Sequence, residues 1–299
     1  MSRVMTFRAL DGADLRTASV ALVIGGMMWG LYWIPVRHFV DQGLDGPWPG
    51  IVMYTSALIV LTPFLMRERQ ALLKDWRGLI FSGMFTGAAF SLFTISLVYT
   101  DVVRSILLFY LTPVWGTILG MVFLGERLGP ARVLGLLCGL GGMFIVLGGE
   151  QGFPWPRNTG DWLALISGIT WAMGSLGLYR TSGISVPGQV FAFVSGALVL
   201  SLLSVPFGGG LASSEAVGEM VIRIGPVALL SVLYTLPMFF LTIWPATKLT
   251  PARVGLLLMS EVVVGLISAA VFSGEPFGMR EALGAALIVS AAFLEVMRG

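Results

Sequence analysis

Two segments of this chain, 149 residues apart, carry one pattern written twice. Arg104 to Gly135 reads RSILLFYLTPVWGTILGMVFLGERLGPARVLG, and Arg253 to Gly284 reads RVGLLLMSEVVVGLISAAVFSGEPFGMREALG. Aligned without a gap, 13 of 32 positions are identical. Gly125-Glu126 falls on Gly274-Glu275, and Gly135 on Gly284. Both copies are too apolar to stand in water. A chain that repeats hydrophobic spans folds as two related halves, and the repeat limits it to a few membrane architectures.

Composition supports a lipid solvent for most of the chain. The 299 residues are 56% hydrophobic and 11% charged, with a mean hydropathy of +0.89. Soluble domains hold about 25% charged and roughly 45–50% apolar residues. The net charge of +2 gives no reason to expect nucleic-acid binding. Cys138 is the only cysteine and His38 the only histidine, which excludes an intramolecular disulfide, a cysteine metal cluster and a HExxH zinc site. No cofactor or metal is expected. Residues 1–17 (MSRVMTFRALDGADLRT) are too charged for a signal-peptide core, so a short cytoplasmic tail before a retained first span is expected.

A helix needs about 20 mostly apolar residues to cross a bilayer. Ten stretches qualify, at roughly 18–38, 50–66, 78–99, 102–124, 131–149, 161–180, 188–207, 225–247, 251–273 and 279–297. Thr100-Asp101 and Thr250-Pro251 divide spans that nearly touch. Asp101 and Thr250 suit helix N-caps, and Pro251 suits the first helical position. Two helices at a tight turn therefore fit each place better than one long helix. With the N-terminus inside, 13 basic residues fall on inner segments and 5 on outer ones. Five spans per half is an odd number, so the halves are expected to insert upside down relative to each other. Ile24, Gly26 and Trp29 recur as Ile166, Gly168 and Trp171, at an offset of 142. The difference from 149 implies an insertion in the second half, with the 208–224 stretch as its natural place and read as a loop. The expected organisation is a tail at 1–17, a five-helix repeat at 18–149, an outer linker at 150–160 and a second, inverted repeat at 161–299.

Trp29-Gly30, Leu111-Thr112-Pro113-Val114, and Gly125-Glu126 with Gly129 and Gly135 carry a family resemblance, matched by Trp171, Glu261-Val262-Val263, Gly274-Glu275, Gly278 and Gly284. The chain resembles the drug/metabolite transporter superfamily, built from two EamA-type repeats of five helices. Val262 departs from the pattern by standing where span four has Pro113, which puts the local bend in question. Within the superfamily the chain looks most like the YddG-type bacterial exporters of aromatic and other amino acids. The resemblance implies an all-α basket of ten helices around a central cavity, spans five and ten at the periphery, a bacterial inner-membrane location and alternating access.

Glu261 is the acidic residue placed deep in a span (LLLMSEVVVGLI). Such a charge costs on the order of 3 kcal/mol by insertion scales and usually faces the bundle interior. It reads either as a substrate-amine or proton site, or as a neutral acid bonded to a neighbouring helix. Thr112 is its repeat counterpart, so the feature is asymmetric, as a substrate contact would be. Trp29 and Trp33 are four apart on one helix face, and mid-span Trp29 is poorly placed for an interfacial belt. Trp171 matches Trp29 as scaffold or cavity wall. Phe90, Tyr99, Tyr110 and Tyr234 complete the candidate substrate-binding set, and mid-span Tyr110 and Tyr234 need hydrogen-bond partners. Arg104 and Arg253 either snorkel to the interface or form a gate with Asp101, Asp161 or Glu68. Bends at Pro113 and Pro237 are candidate hinges, and the Gly26, Gly116 and Gly135 small-xxx-small motifs are candidate close contacts.

The expected function is a secondary transporter that exports small organic solutes, amino acids with aromatic or bulky side chains first, with both termini cytoplasmic. A multidrug exporter of lipophilic cations is the nearest alternative, and a channel or membrane-embedded enzyme the more distant ones. One deep carboxylate without a partner is a poor catalytic set. No catalytic residue is expected. The expected partners are the small-molecule substrate and the lipid bilayer, with two halves able to enclose a site in a monomer.

Overall fold

The computed structural model describes residues 12–74, 76–151, 155–180, 185–207, 214–273 and 278–297. Every element among them is helical. α1 (Gly12–Trp29) and α2 (Trp33–Asp41) lie end to end, followed by α3 (Trp48–Lys74) and α4 (Trp76–Tyr99). α5 (Val102–Phe109) and α6 (Thr112–Leu124) are a second end-to-end pair, and α7 (Pro130–Gln151) follows. α8 (Thr159–Arg180), α9 (Val186–Ser204) and α10 (Ser214–Ala246) come next. α11 (Pro251–Leu258) and α12 (Ser260–Ser273) form a third end-to-end pair before α13 (Met279–Met297). Six stretches are long and apolar enough to cross a bilayer: 14–41, 76–99, 159–180, 186–207, 224–246 and 251–272.

Helix boundaries follow the expected turns, with differences of detail. Thr100-Asp101 separates α4 from α5, and Thr250 precedes α11 with Pro251 at its start. Asp101 and Thr250 hold the extended backbone of an N-cap, yet neither side chain makes a capping hydrogen bond. The 208–224 stretch, read as a loop, is helical from Ser214, where Glu and Ala favour that state. Residues 208–213, most of the N-terminal tail and Gly274-Glu275 lie outside the described residues. Pro237 lies within α10, which continues through it without a break.

The α5–α6 break falls at Tyr110-Leu111 and the α11–α12 break at Met259. In the repeat register Met259 lies over Tyr110, so both copies break at one place. Pro113 stands just after the first break, whereas Val262 stands after the second. The proline is therefore not what breaks the helix. What both breaks share is a hydroxyl side chain bonded to a carbonyl of the preceding turn. Thr112 Oγ1 donates to Phe109 O at 2.5 Å, and Ser260 Oγ to Leu257 O at 3.0 Å. The α1–α2 break at Gly30–Tyr32 is treated the same way. Tyr234 OH donates to Met28 O, and Ser268 Oγ to Gly30 O at 3.2 Å. Without such partners each exposed carbonyl in the bilayer would cost several kcal/mol, on the order of an unpaired buried amide.

Glycines bring the helices together at these breaks. A Cβ on Gly30 would stand 2.6 Å from Glu261 O, and one on Gly26 3.2 Å from Leu258 O. The counterpart Gly168 faces Phe109 O at 2.5 Å and Thr112 Oγ1 at 3.0 Å. Leu258 and Phe109 are themselves repeat counterparts. Thus α1 meets the α11–α12 break as α8 meets the α5–α6 break. Elsewhere a Cβ on Gly83 would stand 2.5 Å from Ala192 O, where α4 meets α9, and one on Gly142 2.6 Å from Gly284 O, where α7 meets α13. Gly116 meets Pro251 O at 2.8 Å and Gly139 the Met259 sulfur at 2.7 Å, whereas Gly135 has looser neighbours, at 3.7 Å and beyond. Such close backbone approach is how membrane helices gain dispersion energy where lipid removes the hydrophobic drive.

Candidate functional site

The breaks converge on one cavity. Its walls are Trp29 at the end of α1, Ala89, Phe90 and Phe93 in α4, Phe109 at the end of α5, Trp171 in α8, Thr242 in α10, Leu258 in α11 and Glu261 in α12. Both copies of the repeat contribute. Space for water centres is only about 20 Å³, enough for one or two waters. A ring-bearing solute enters this site only when side chains or helices move apart.

Phe90 is the centre of the aromatic wall. Its ring lies 4.4 Å from that of Trp29 in an edge contact at 88°, and 5.2 Å from Phe193 in a stacked one. Tyr32, Tyr54 and Phe239 surround it at 5.1, 5.2 and 5.4 Å. These separations are those at which aromatic rings attract each other beyond simple burial. Hydrogen bonds then fix the ring planes. Trp29 Nε1 donates to Thr242 Oγ1 at 2.7 Å. The Tyr54 hydroxyl and Thr94 Oγ1 share a 2.7 Å bond, and Tyr32 OH reaches the same Thr94 oxygen at 3.3 Å.

Glu261 is 3% exposed and stands in the first turn of α12. The single hydroxyl proton of Tyr110, beside the first break, is shared between Glu261 Oε2 and, at 2.7 Å, Leu258 O. One tyrosine thus ties the two broken helices together across the repeat. The second carboxylate oxygen, Oε1, is buried with no hydrogen-bond partner among the described residues. Trp171 Nε1 is a buried donor in the same condition. Buried polar atoms are nearly always paired, so an acceptor and a donor left open on residues lining one cavity are where a polar ligand would bond. The counterpart Thr112 is spent on backbone carbonyls, those of Phe109 and, at 3.3 Å, Gly168.

The eight candidate residues separate by position. Trp29, Phe90, Trp171 and Glu261 line the cavity, and Tyr110 stands behind Glu261. Trp33 is directed to α12, where Nε1 donates to Ser268 Oγ at 3.0 Å. Tyr234 bonds Met28 O and so supports the α1–α2 break. Tyr99 ends α4 at 39% exposure, away from the cavity lining. Phe109, Thr242, Phe193 and Phe239 were not singled out from sequence. Phenylalanine is too common in lipid-facing positions for its facing to be read from spacing. Gly125 holds a left-handed turn at φ 66°, and Glu126 accepts from Arg132 Nη1 at 2.6 Å, so the Gly-Glu pair is a helix-to-helix joint. Among the described residues no group of three His, Cys, Asp or Glu side chains is placed to hold a metal.

Apolar helices of membrane length packed around a small, largely aromatic cavity mark a multi-pass membrane protein. Residues 16–148 match the EamA-like transporter family. The match over residues 16–148 and the names of the relatives point to a transporter rather than an enzyme. It is 20% identical over 274 residues to the uncharacterized transporter YoaV of Bacillus subtilis (strain 168), a match over 90% of this chain and 92% of that one. It is 28% identical over 218 residues to a riboflavin transporter of Rhizobium johnstonii, covering 69% of this chain and 67% of the relative. A solved structure described only as a crystal structure of a protein shares the fold, with a TM-score of 0.66 at 19% identity over 94% of this chain and 96% of that one.

Proposed function

We propose that the chain is a bacterial inner-membrane carrier that exports small organic solutes, amino acids with aromatic or bulky side chains first. Its ten helical stretches act as ten spans in two inverted repeats, at 18–149 and 161–299, rocking about the cavity with both termini cytoplasmic. The paired contacts of Gly26 with Leu258 and Gly168 with Phe109 support the inverted arrangement. The excess of basic residues on alternate connections supports the orientation. The substrate reading rests on one observation: Glu261, which has a buried oxygen without a partner among the described residues, lines a cavity walled largely by rings. An ammonium group satisfies that oxygen, and the aromatic faces accept the ring or side chain. The indole N–H of Trp171 suits a carboxylate. The narrower likeness to YddG-type exporters agrees with this chemistry. A lipophilic cation would use Glu261 and the rings but not the Trp171 donor.

The name of the Rhizobium relative favours a second reading, an uncharged ring compound such as riboflavin. Proteoliposome uptake separates the readings. Labelled Phe, Trp, Met, a lipophilic cation and riboflavin are offered with and without an imposed pH gradient. Saturable uptake of the amino acids, lost in Glu261→Gln, is the expected result. Uptake of riboflavin alone, unaffected by that substitution, would overturn the amine-site reading.

A further inference from the structure

Away from the cavity the structure holds a second polar cluster, and it is built across the two halves. Asp161, in the first turn of α8, is fully buried. Its Oδ1 accepts from Thr100 Oγ1 at 2.8 Å, beyond the end of α4, and from Arg104 Nε at 3.3 Å, in α5. Its Oδ2 accepts from Arg104 Nε at 3.2 Å, from Arg104 Nη2, and from the backbone N–H of Arg157 at 2.9 Å. Asn158 adds a bond from Nδ2 to Thr100 Oγ1 at 3.1 Å and accepts from the Asp161 N–H at 2.8 Å. The start of α8 lies so close to Thr100 that a Cβ on Gly160 would stand 2.9 Å from the threonine Cβ.

The three elements joined here are among those that wall the cavity. Phe93 is seven residues from Thr100 along α4, Phe109 five from Arg104 along α5, and Trp171 ten from Asp161 along α8. At 1.5 Å per helical residue, the cluster sits about 8–15 Å along these helices from the cavity, at one end only. In the repeat register Thr100 corresponds to Leu249, Arg104 to Arg253 and Asp161 to Ser19. Ser19 is buried and donates to Leu15 O of its own helix at 2.6 Å. The opposite end of the cavity therefore has no carboxylate at the matching place.

We propose that Thr100, Arg104 and Asp161 form a latch that shuts one face of the transporter, the outer face in the orientation given above. Opening that face must part a buried carboxylate from a guanidinium. Opening gives up the charge-assisted hydrogen bonds that Thr100, Arg104 and the Arg157 N–H make to Asp161, set against the rehydration of the two charges. The protein accordingly rests with the latched face closed, and loss of the pair shifts the population toward opening there. This rests on the alternating-access part of the functional reading and not on the choice of substrate.

The test needs no substrate. In a Cys138→Ala background, Ala89→Cys places a thiol in the cavity wall, and a membrane-impermeant maleimide is applied from either face of the membrane. Asp161→Asn is expected to speed labelling from the latched face on the order of tenfold, a shift typical of a two-state bias. A second variant covers the case in which Asp161→Asn does not fold. Thr100→Cys with Asn158→Cys, joined by a short thiol cross-linker, is expected to abolish labelling from that face, and reduction to restore it. Labelling from the latched face that neither change alters overturns the latch. So does a rise in labelling confined to the face that carries Glu126 and Arg132. If the latch responds as expected while no amino acid is carried, the substrate reading alone has failed.

Discussion

The bond from Tyr110 to Glu261 joins two helix breaks across the repeat, and its strength is open to direct measurement. Tyr110→Phe removes the donor to Glu261 Oε2 and to Leu258 O. In water-soluble proteins, loss of a bond to a charged group costs about 1.5–3 kcal/mol, and an unsatisfied buried carbonyl about 1–3 more. Inside a bilayer, interhelical hydrogen bonds average about 0.6 kcal/mol and reach about 1.7, because the separated helices find other partners. The bilayer figure governs here. In the separated state α11 and α12 can join as one continuous helix, in which the Leu258 carbonyl has its own backbone donor. Tyr110→Phe is therefore expected to destabilise by about 1–2 kcal/mol. Glu261→Met keeps the volume and removes the acceptor. In Glu261→Met the Tyr110 proton passes wholly to Leu258 O, so the double-mutant cycle reads the Glu261 bond less that gain. The expected coupling is about 0.5–1.5 kcal/mol, read from reversible unfolding of the four proteins in mixed micelles. A coupling within about 0.3 kcal/mol of zero would refute the bridge between the breaks.

Further outcomes follow from the same contacts. Glu261→Gln retains an oxygen for Tyr110, so its unfolding midpoint should stay near the parent's while uptake of amine-bearing solutes falls; equal uptake by the two proteins would remove the charge from recognition. Gly30→Ala and Gly168→Ala drive a methyl onto a backbone carbonyl and should cost about 1–3 kcal/mol in thermal unfolding. Gly141→Ala has open space around its Cβ and should be neutral or slightly stabilising, and equal losses at all three positions would count against the tight crossings. Thr242→Val leaves the Trp29 N–H in the cavity wall without its partner, and the indole fluorescence of the variant should report the changed environment. An unchanged spectrum would mean that the Trp29–Thr242 bond does not set the ring.

The sequence by itself determined the solvent, the periodicity and the repeat. Apolar runs of membrane length leave helices as the state that satisfies the backbone, and the stretches counted in the chain are helical among the described residues. The offsets of 149 and 142 are likewise carried by residue identity, and they return in space as the Gly26–Leu258 and Gly168–Phe109 contacts. Glu261 stood out because a deep acid is costly anywhere that is not an interior. Tertiary structure alone decided which rings meet. Trp29, Phe90 and Trp171 line the cavity while Trp33 bonds Ser268 of α12 and Tyr234 bonds Met28 O beside the α1–α2 break, although all five are aromatic and within apolar runs. In a helix that is apolar all round, period carries no facing information, so only the neighbouring helices assign it. The same holds for Asp161 and Arg104. Their sequence positions are 57 residues apart, and only the packing of α4, α5 and α8 turns two helix-end charges into one buried pair.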